Sequence, residues 1–223
     1  MKFKDLEHDI DSCMDVWMEF YNKVYPAFFG NYFDFSKIEN DETSPTCKRW
    51  YIKLRDDVEQ KKEFPKFKMA GDCIFNFNDK KIGILKNYIN TTHGLELLEY
   101  CAKKHHSFEN FAFMPITGGM NNQKGHQVLD RPDIHTNEIL KYFNDENSNI
   151  FDNAKGNKKA LEWYLSLFDK DIKKYVKKVY LIDNETFILE NFLKFSNTVV
   201  CDNDTAIEYM NLAKTFWEKR NIK

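Results

Sequence analysis

The chain lacks most of the short signatures by which chemistry is read from sequence. Its five cysteines, Cys13, Cys47, Cys73, Cys101 and Cys201, include no C-x-x-C pair. An odd number at wide spacing argues against a structural zinc site and suits reduced thiols in a cytoplasm. No apolar run reaches the length of a membrane-spanning helix, and the opening MKFKDLEHDI has no apolar secretion core. The expectation is a protein that is neither secreted nor inserted in a membrane. Neither half is strongly basic, because 33 Lys and Arg are interspersed with 35 Asp and Glu. Wrapping a nucleic-acid backbone is therefore disfavoured. There is no G-x-S-x-G, no cysteine in a nucleophile motif and no H-E-x-x-H, so nucleophilic hydrolysis and zinc-helix chemistry have no foothold. Internal repeats, Gly/Ser linkers and low-complexity tracts are also missing. One domain over residues 1–223 is expected, with a helical subdomain over 151–223 as the variant.

What is present is aromatic bulk. Aromatics make up 16% of the 223 residues, with 20 Phe and 11 Tyr. A chain of this length can bury a core without staples, and these rings predict a large aromatic one. The abundance of Lys, Asn, Ile and Phe fits an AT-rich bacterial or phage genome.

Periodicity predicts a mainly helical α+β chain with a small antiparallel or mixed sheet from its middle third. Ile10, Cys13, Met14, Trp17, Phe20, Tyr21 and Val24 mark one face of a helix over 9–25. Ser44-Pro45 reads as a helix start, followed by a stripe of Cys47, Trp50, Tyr51, Leu54 and Val58. Residues 67–78 alternate as a strand entered through Gly71-Asp72, and 82–90 read as a returning strand. Thr91 or Thr92 caps a helix over 95–104 with Leu95, Leu98 and Cys101 inward. Phe111–Ile116 is an apolar run of strand length. Helices are expected over 157–168, 170–182 and 185–196, and a last one over 205–220 capped by Asp204.

The densest collection of chemically useful residues lies between Phe111 and Phe143. An apolar run ends at Pro115, the loop GGMNNQKG follows, and Asp130-Arg131-Pro132-Asp133 opens an amphipathic helix. Gly118 and Gly119 let the backbone turn and bring N–H groups close to a ligand. Asn121 can read polar edges, and Lys124 can meet a phosphate or carboxylate. The phosphate-loop pattern fails, because the glycine before the lysine and the hydroxyl after it are both missing. Asp130 reads as an N-cap and Asp133 as the third helical residue, a capping-box-like pattern. An arginine between two carboxylates can also be oriented as a bidentate anion clamp, so Arg131 could face Lys124 across the loop. His126, Asp130, Asp133 and His135 supply nitrogen and oxygen ligands within ten residues, but no known metal spacing, so no metal is assigned. No cofactor is assigned either.

This central stretch resembles the bacterial family known as domain of unknown function 6994. The resembling pieces are Phe113-Met114-Pro115, Gly118-Gly119-Met120-Asn121, Lys124-Gly125 and Asp130-Arg131-Pro132-Asp133. Lysine stands where the family usually has arginine, and Pro132 falls inside the last element. Phe33-Asp34-Phe35, Ser44–Tyr51 and Gly71-Asp72-Cys73-Ile74 are weaker upstream likenesses in the same order. The last 70 residues match poorly. The resemblance implies positions but no reaction.

Two functional classes follow. In the first, Gly118, Gly119, Asn121, Lys124, Asp130, Arg131, Asp133 and Asp72 bind a small anionic ligand, phosphate- or nucleotide-like, with or without catalysis. In the second, the chain is a non-catalytic interaction module of a phage or mobile element. It would act on a host or defence protein, its partner surface lying on the C-terminal helices.

Overall fold

The structure is a computed structural model that describes residues 21–222, apart from 42–48, 63, 65, 66, 127, 128 and 155. Residues 9–20 of the helix expected over 9–25 and the Ser44-Pro45 start lie outside the described residues, and 21–24 are helical. The fold is α+β and mainly helical, with a small antiparallel sheet.

Chain order begins with a short helix, α1 (Pro26–Phe29), then strands β1 (Glu39–Asp41) and β2 (Arg49–Lys53), helix α2 (Asp56–Lys62) and strand β3 (Lys68–Cys73). Helices α3 (Asp79–Lys86) and α4 (Thr92–Lys104) precede strand β4 (Phe111–Pro115). The sheet order is β1-β2-β3-β4, each neighbour antiparallel. The best-matched pair is β3 with β4, in register from Met69 opposite Pro115 to Cys73 opposite Phe111.

Four expectations in this region are corrected. Trp50 and Tyr51 belong to β2, not to a helix. The run RWYIK carries two rings and a β-branched residue, which fit a pleated strand better than a helix face. Residues 79–86 form α3, where a turn at 79–81 and a returning strand over 82–90 are expected. Asn78 starts it by accepting the Lys81 N–H at 3.1 Å, the role that short polar side chains fill at helix N-caps. Thr91 caps α4 as expected, through the Gly94 N–H. Leu95, however, is 48% exposed, and Leu97 and Leu98 take the inward positions. Gly71 and Asp72 lie inside β3, not at its entrance.

A 3-10 segment (Thr117–Lys124) and the two-residue strands β5 (Gly125–His126) and β6 (Leu129–Asp130) lead to α5 (Pro132–Phe143). The C-terminal part is helical. Helix α6 (Lys158–Ser166) is followed by α7 (Ile172–Tyr175), which runs on as a π-helical segment, Val176–Tyr180. A second π-helical segment, Phe187–Phe192, continues into α8 (Leu193–Phe195). The long helix α9 (Asn203–Lys219) closes the fold. Its N-cap is Asp202 rather than Asp204, in a full capping box with Thr205. The reach of one carboxylate to an N–H three residues on selects the first aspartate.

A single hydrophobic cluster runs from Tyr21 to Trp217. Its centre is aromatic, as composition predicts. Phe113 of β4 packs against Tyr21, Tyr25, Phe29, Phe33 and Phe35 at centroid distances of 5.3–6.0 Å. Buried polar groups in the cluster differ in pairing: among the described residues the Tyr164 hydroxyl has no hydrogen-bond partner, whereas Asn110 is fully paired. The Asn110 carboxamide is completely buried, donating to the Phe75 and His105 carbonyls and accepting from the Phe75 N–H and the Trp217 indole. An unpaired amide there would cost about 1–3 kcal/mol.

The turn out of the first π segment is strained. Leu181 adopts φ 61° and ψ 38°, the left-handed region, which costs an ordinary residue about 1–2 kcal/mol. The far end of the chain holds it. Ile182 bridges Arg220, and the Asn221 N–H donates to the Leu181 carbonyl at 2.8 Å.

Candidate functional site

The central stretch is built as a strand, a glycine turn and a proline-started helix. Gly118 and Gly119 both take left-handed φ values, 67° and 68°. A side chain at Gly118 would come within 3.0 Å of the Leu161 methyl and 3.1 Å of the Ala154 carbonyl. Gly118 therefore lets the turn press against the start of α6. Around Gly119 there is open space, so only its backbone angle calls for glycine. The Asn121 and Lys124 side chains lie outside the described residues.

Arg131, not Asp130, is the N-cap of α5, because Pro132 occupies the first helical position and Asp133 the second. Proline is favoured there, where its missing N–H is not needed. The Arg131 and Asp133 side chains are completely buried and face each other. Nε of Arg131 donates to both Asp133 oxygens at 3.0 and 3.1 Å, and Nη2 donates to Oδ2 at 2.5 Å. Nη2 also donates to the Phe195 carbonyl and Nη1 to the Thr198 carbonyl, both at 2.9 Å. The guanidinium lies over the Phe195 ring, 4.8 Å from its centroid. These bonds tie α5 to the turn after α8. Arg131 thus addresses carbonyls of its own chain rather than the Lys124 side of the loop.

Asp130 points elsewhere. Its carboxylate lies 3.8 Å from the Lys81 ammonium of α3, and its carbonyl accepts from the Tyr209 hydroxyl at 2.7 Å. Asp72 is in β3, opposite Ala112. Arg131 and Asp133 are thus engaged with each other, while the Asp130 carboxylate is directed at Lys81 of α3. Among the described residues, no group of three His, Cys, Asp or Glu side chains is placed to hold a metal ion.

The Arg131 anchor lies beneath a wider surface feature. A groove of about 830 Å³ runs between the Phe187–Phe195 arm and α9, and Phe195 and Thr198 are part of its wall. Phe187, Phe195 and Leu212 are buried at its base. Four asparagines line it: Asn184, Asn191, Asn197 and Asn211. Two acids and two bases stand among them, Glu190 and Glu208 with Lys194 and Lys219. None of these four charges has an ion-pair partner among the described residues. By contrast, the lysines of the neighbouring arm are neutralised: Lys173 by Glu185, Lys174 by Asp169 and Lys177 by Asp183.

Sequence reasoning missed this surface. Its carboxamides come from two segments about one helix apart in sequence, and only packing brings them together. The one local signal is the unusual winding of Phe187–Phe192, since π-helical turns recur at functional sites.

Burial holds one thiol and several phenols in their neutral forms. Burial pushes the Cys101 thiol up to about 12, so its nucleophilic thiolate is not populated near neutrality. The buried phenols of Tyr164, Tyr175 and Tyr209 are raised well above the usual value, also by burial. No helix among the described residues is long and apolar enough to cross a membrane.

No protein-family model matches the chain, and no curated protein or solved structure matches it either.

Proposed function

We propose that the protein is a non-catalytic interaction module whose recognition surface lies on the C-terminal helices. The observation that supports this reading is the complete burial of Arg131 and Asp133. The guanidinium that would have clamped an anion is engaged with Asp133, Phe195 and Thr198 of its own chain. The central segment then serves as a strut beneath the groove at its C-terminal side. The groove displays unneutralised charges of both signs, the usual requirement for choosing a polypeptide partner by electrostatic complementarity. A cytoplasmic site of action and a host or defence protein as target belong to this proposal, as does an origin in a bacterial or phage genome.

The competing reading is a small anionic ligand at the Gly118–Lys124 loop, held by Asn121 and Lys124. One experiment separates the two. Wild-type protein, K124A and K194E/K219E are melted with phosphate and nucleotides, and each is used to retain partners from a bacterial extract. The expected result is no stabilisation by any anion, and a defined protein retained by wild type and K124A but lost by K194E/K219E. A melting temperature raised by phosphate or nucleotide in wild type and not in K124A would overturn the proposal.

A further inference from the structure

We infer that the groove between the Phe187–Phe195 arm and α9 takes an extended peptide segment and reads its main chain through asparagine side chains. This inference rests on the interaction-module reading and names the chemistry of the partner. A carboxamide offers an acceptor oxygen and N–H donors, so it can both accept from a peptide N–H and donate to a peptide carbonyl. Asparagines spaced along a groove can therefore pair with successive peptide units whatever their side chains.

The groove has such side chains free for the purpose. Asn191 of the arm and Asn211 of α9 both line it, are exposed, and have no hydrogen-bond partner among the described residues. Asn184 uses its oxygen to cap the π segment, accepting the Phe187 N–H at 2.9 Å, and keeps its NH₂ for a ligand. Asn197 makes only a long contact, 3.5 Å, to the Lys194 carbonyl.

Other occupants fit less well. A nucleic acid or phosphate ligand needs an excess of positive charge, whereas Glu190 and Glu208 balance Lys194 and Lys219. A sugar needs exposed aromatic faces to stack on, but Phe187 and Phe195 are 5% and 4% exposed. A compact drug-like ligand needs an enclosed, mostly apolar pocket, and this site is an open groove with polar walls. A peptide of near-neutral net charge matches it. Its backbone would bond to the asparagines, and its acidic and basic side chains would meet the four free charges.

The test is selection from a library of linear peptides on the full chain, followed by affinity measurement on wild type, N191L/N211L and N191D/N211D. Both asparagine positions are exposed and unbonded, so these variants are expected to fold, which melting curves verify. Enriched peptides should bind N191L/N211L at least tenfold more weakly than wild type. The aspartate variant, which keeps acceptors and loses donors, should fall between. Methylating backbone nitrogens of a selected peptide at alternate residues should abolish binding. Equal affinity for the leucine variant, indifference to backbone methylation, or failure to enrich any linear peptide would each overturn the inference. If no peptide is enriched while a protein is still retained through Lys194 and Lys219, the interaction-module reading stands and only the extended-peptide reading falls.

Discussion

Tyr25 and Arg220 meet in the core although 195 residues separate them, with Nη2 of Arg220 directed at the phenol oxygen at 3.5 Å. Arg220 is buried without a carboxylate ion-pair partner among the described residues. It donates instead to the carbonyls of Tyr180, Phe108 and Glu109 at 2.7, 3.1 and 2.6 Å. Burial lowers the guanidinium's pKa from its ordinary value, and burial raises that of Tyr25. The Tyr25 hydroxyl donates in turn to the Val179 carbonyl at 3.0 Å. Four segments thus depend on one cation. Replacing Arg220 with Met should cost about 1–3 kcal/mol for each buried carbonyl left unpaired. Tyr25→Phe should cost about 1–2 kcal/mol. Urea denaturation of both singles and the double should show a double-mutant loss smaller than the sum. Strict additivity would mean the two side chains do not interact.

The two glycines of the central turn should respond differently to alanine. At both positions the left-handed φ makes a side chain unfavourable, by about 1 kcal/mol. Gly118→Ala adds a collision with the Ala154 carbonyl and the Leu161 methyl. Its melting temperature should therefore fall clearly further than that of Gly119→Ala. Equal losses would show that the α6 contact yields without cost.

Acid should loosen the loop after α5. Burial works to raise the Glu138 carboxyl, but the Lys141 ammonium at 2.6 Å and the Asn149 N–H at 2.8 Å more than offset it, so its pKa is held below the usual value. A depressed carboxylate contributes stability that is present above its unfolded pKa, near 4.3. That contribution is lost as pH falls through the lower folded value. Glu138→Gln should lose about 1–2 kcal/mol at pH 7. Its deficit against wild type should shrink steadily below about pH 4.3. Urea midpoints at a series of pH values read this directly; a deficit independent of pH would rule the carboxylate out.

Local rules carried much of the architecture. The strand at Phe111, the Thr91 cap and the helices after residue 157 were all legible from period and capping chemistry. At Trp50 and Tyr51 the strand preference of RWYIK prevails over the Ser-Pro signal upstream. The Asn78 cap starts α3, so no strand forms over 82–90. Pro132 at the first helical position moves the cap from Asp130 to Arg131. The fate of Arg131 could not be read locally at all. Charged side chains are almost never fully buried, and nothing near DRPD announces that the carbonyls of Phe195 and Thr198 wait for it. The asparagine groove is equally non-local, since α9 and the arm before it share no motif.

Among the described residues, strand β4 has a sheet neighbour on one side only. Its five residues, FAFMP, are all buried, and its open flank is closed by the first π segment and the Tyr25 hydroxyl, which bonds both the Phe113 backbone and the Val179 carbonyl. An apolar strand with an uncovered edge is a template for pairing between chains. The C-terminal helices therefore act as an internal chaperone for the middle of the molecule. Severing them at residue 150 would release a sticky β-edge, and self-association, more than simple unfolding, is the fate such a fragment faces.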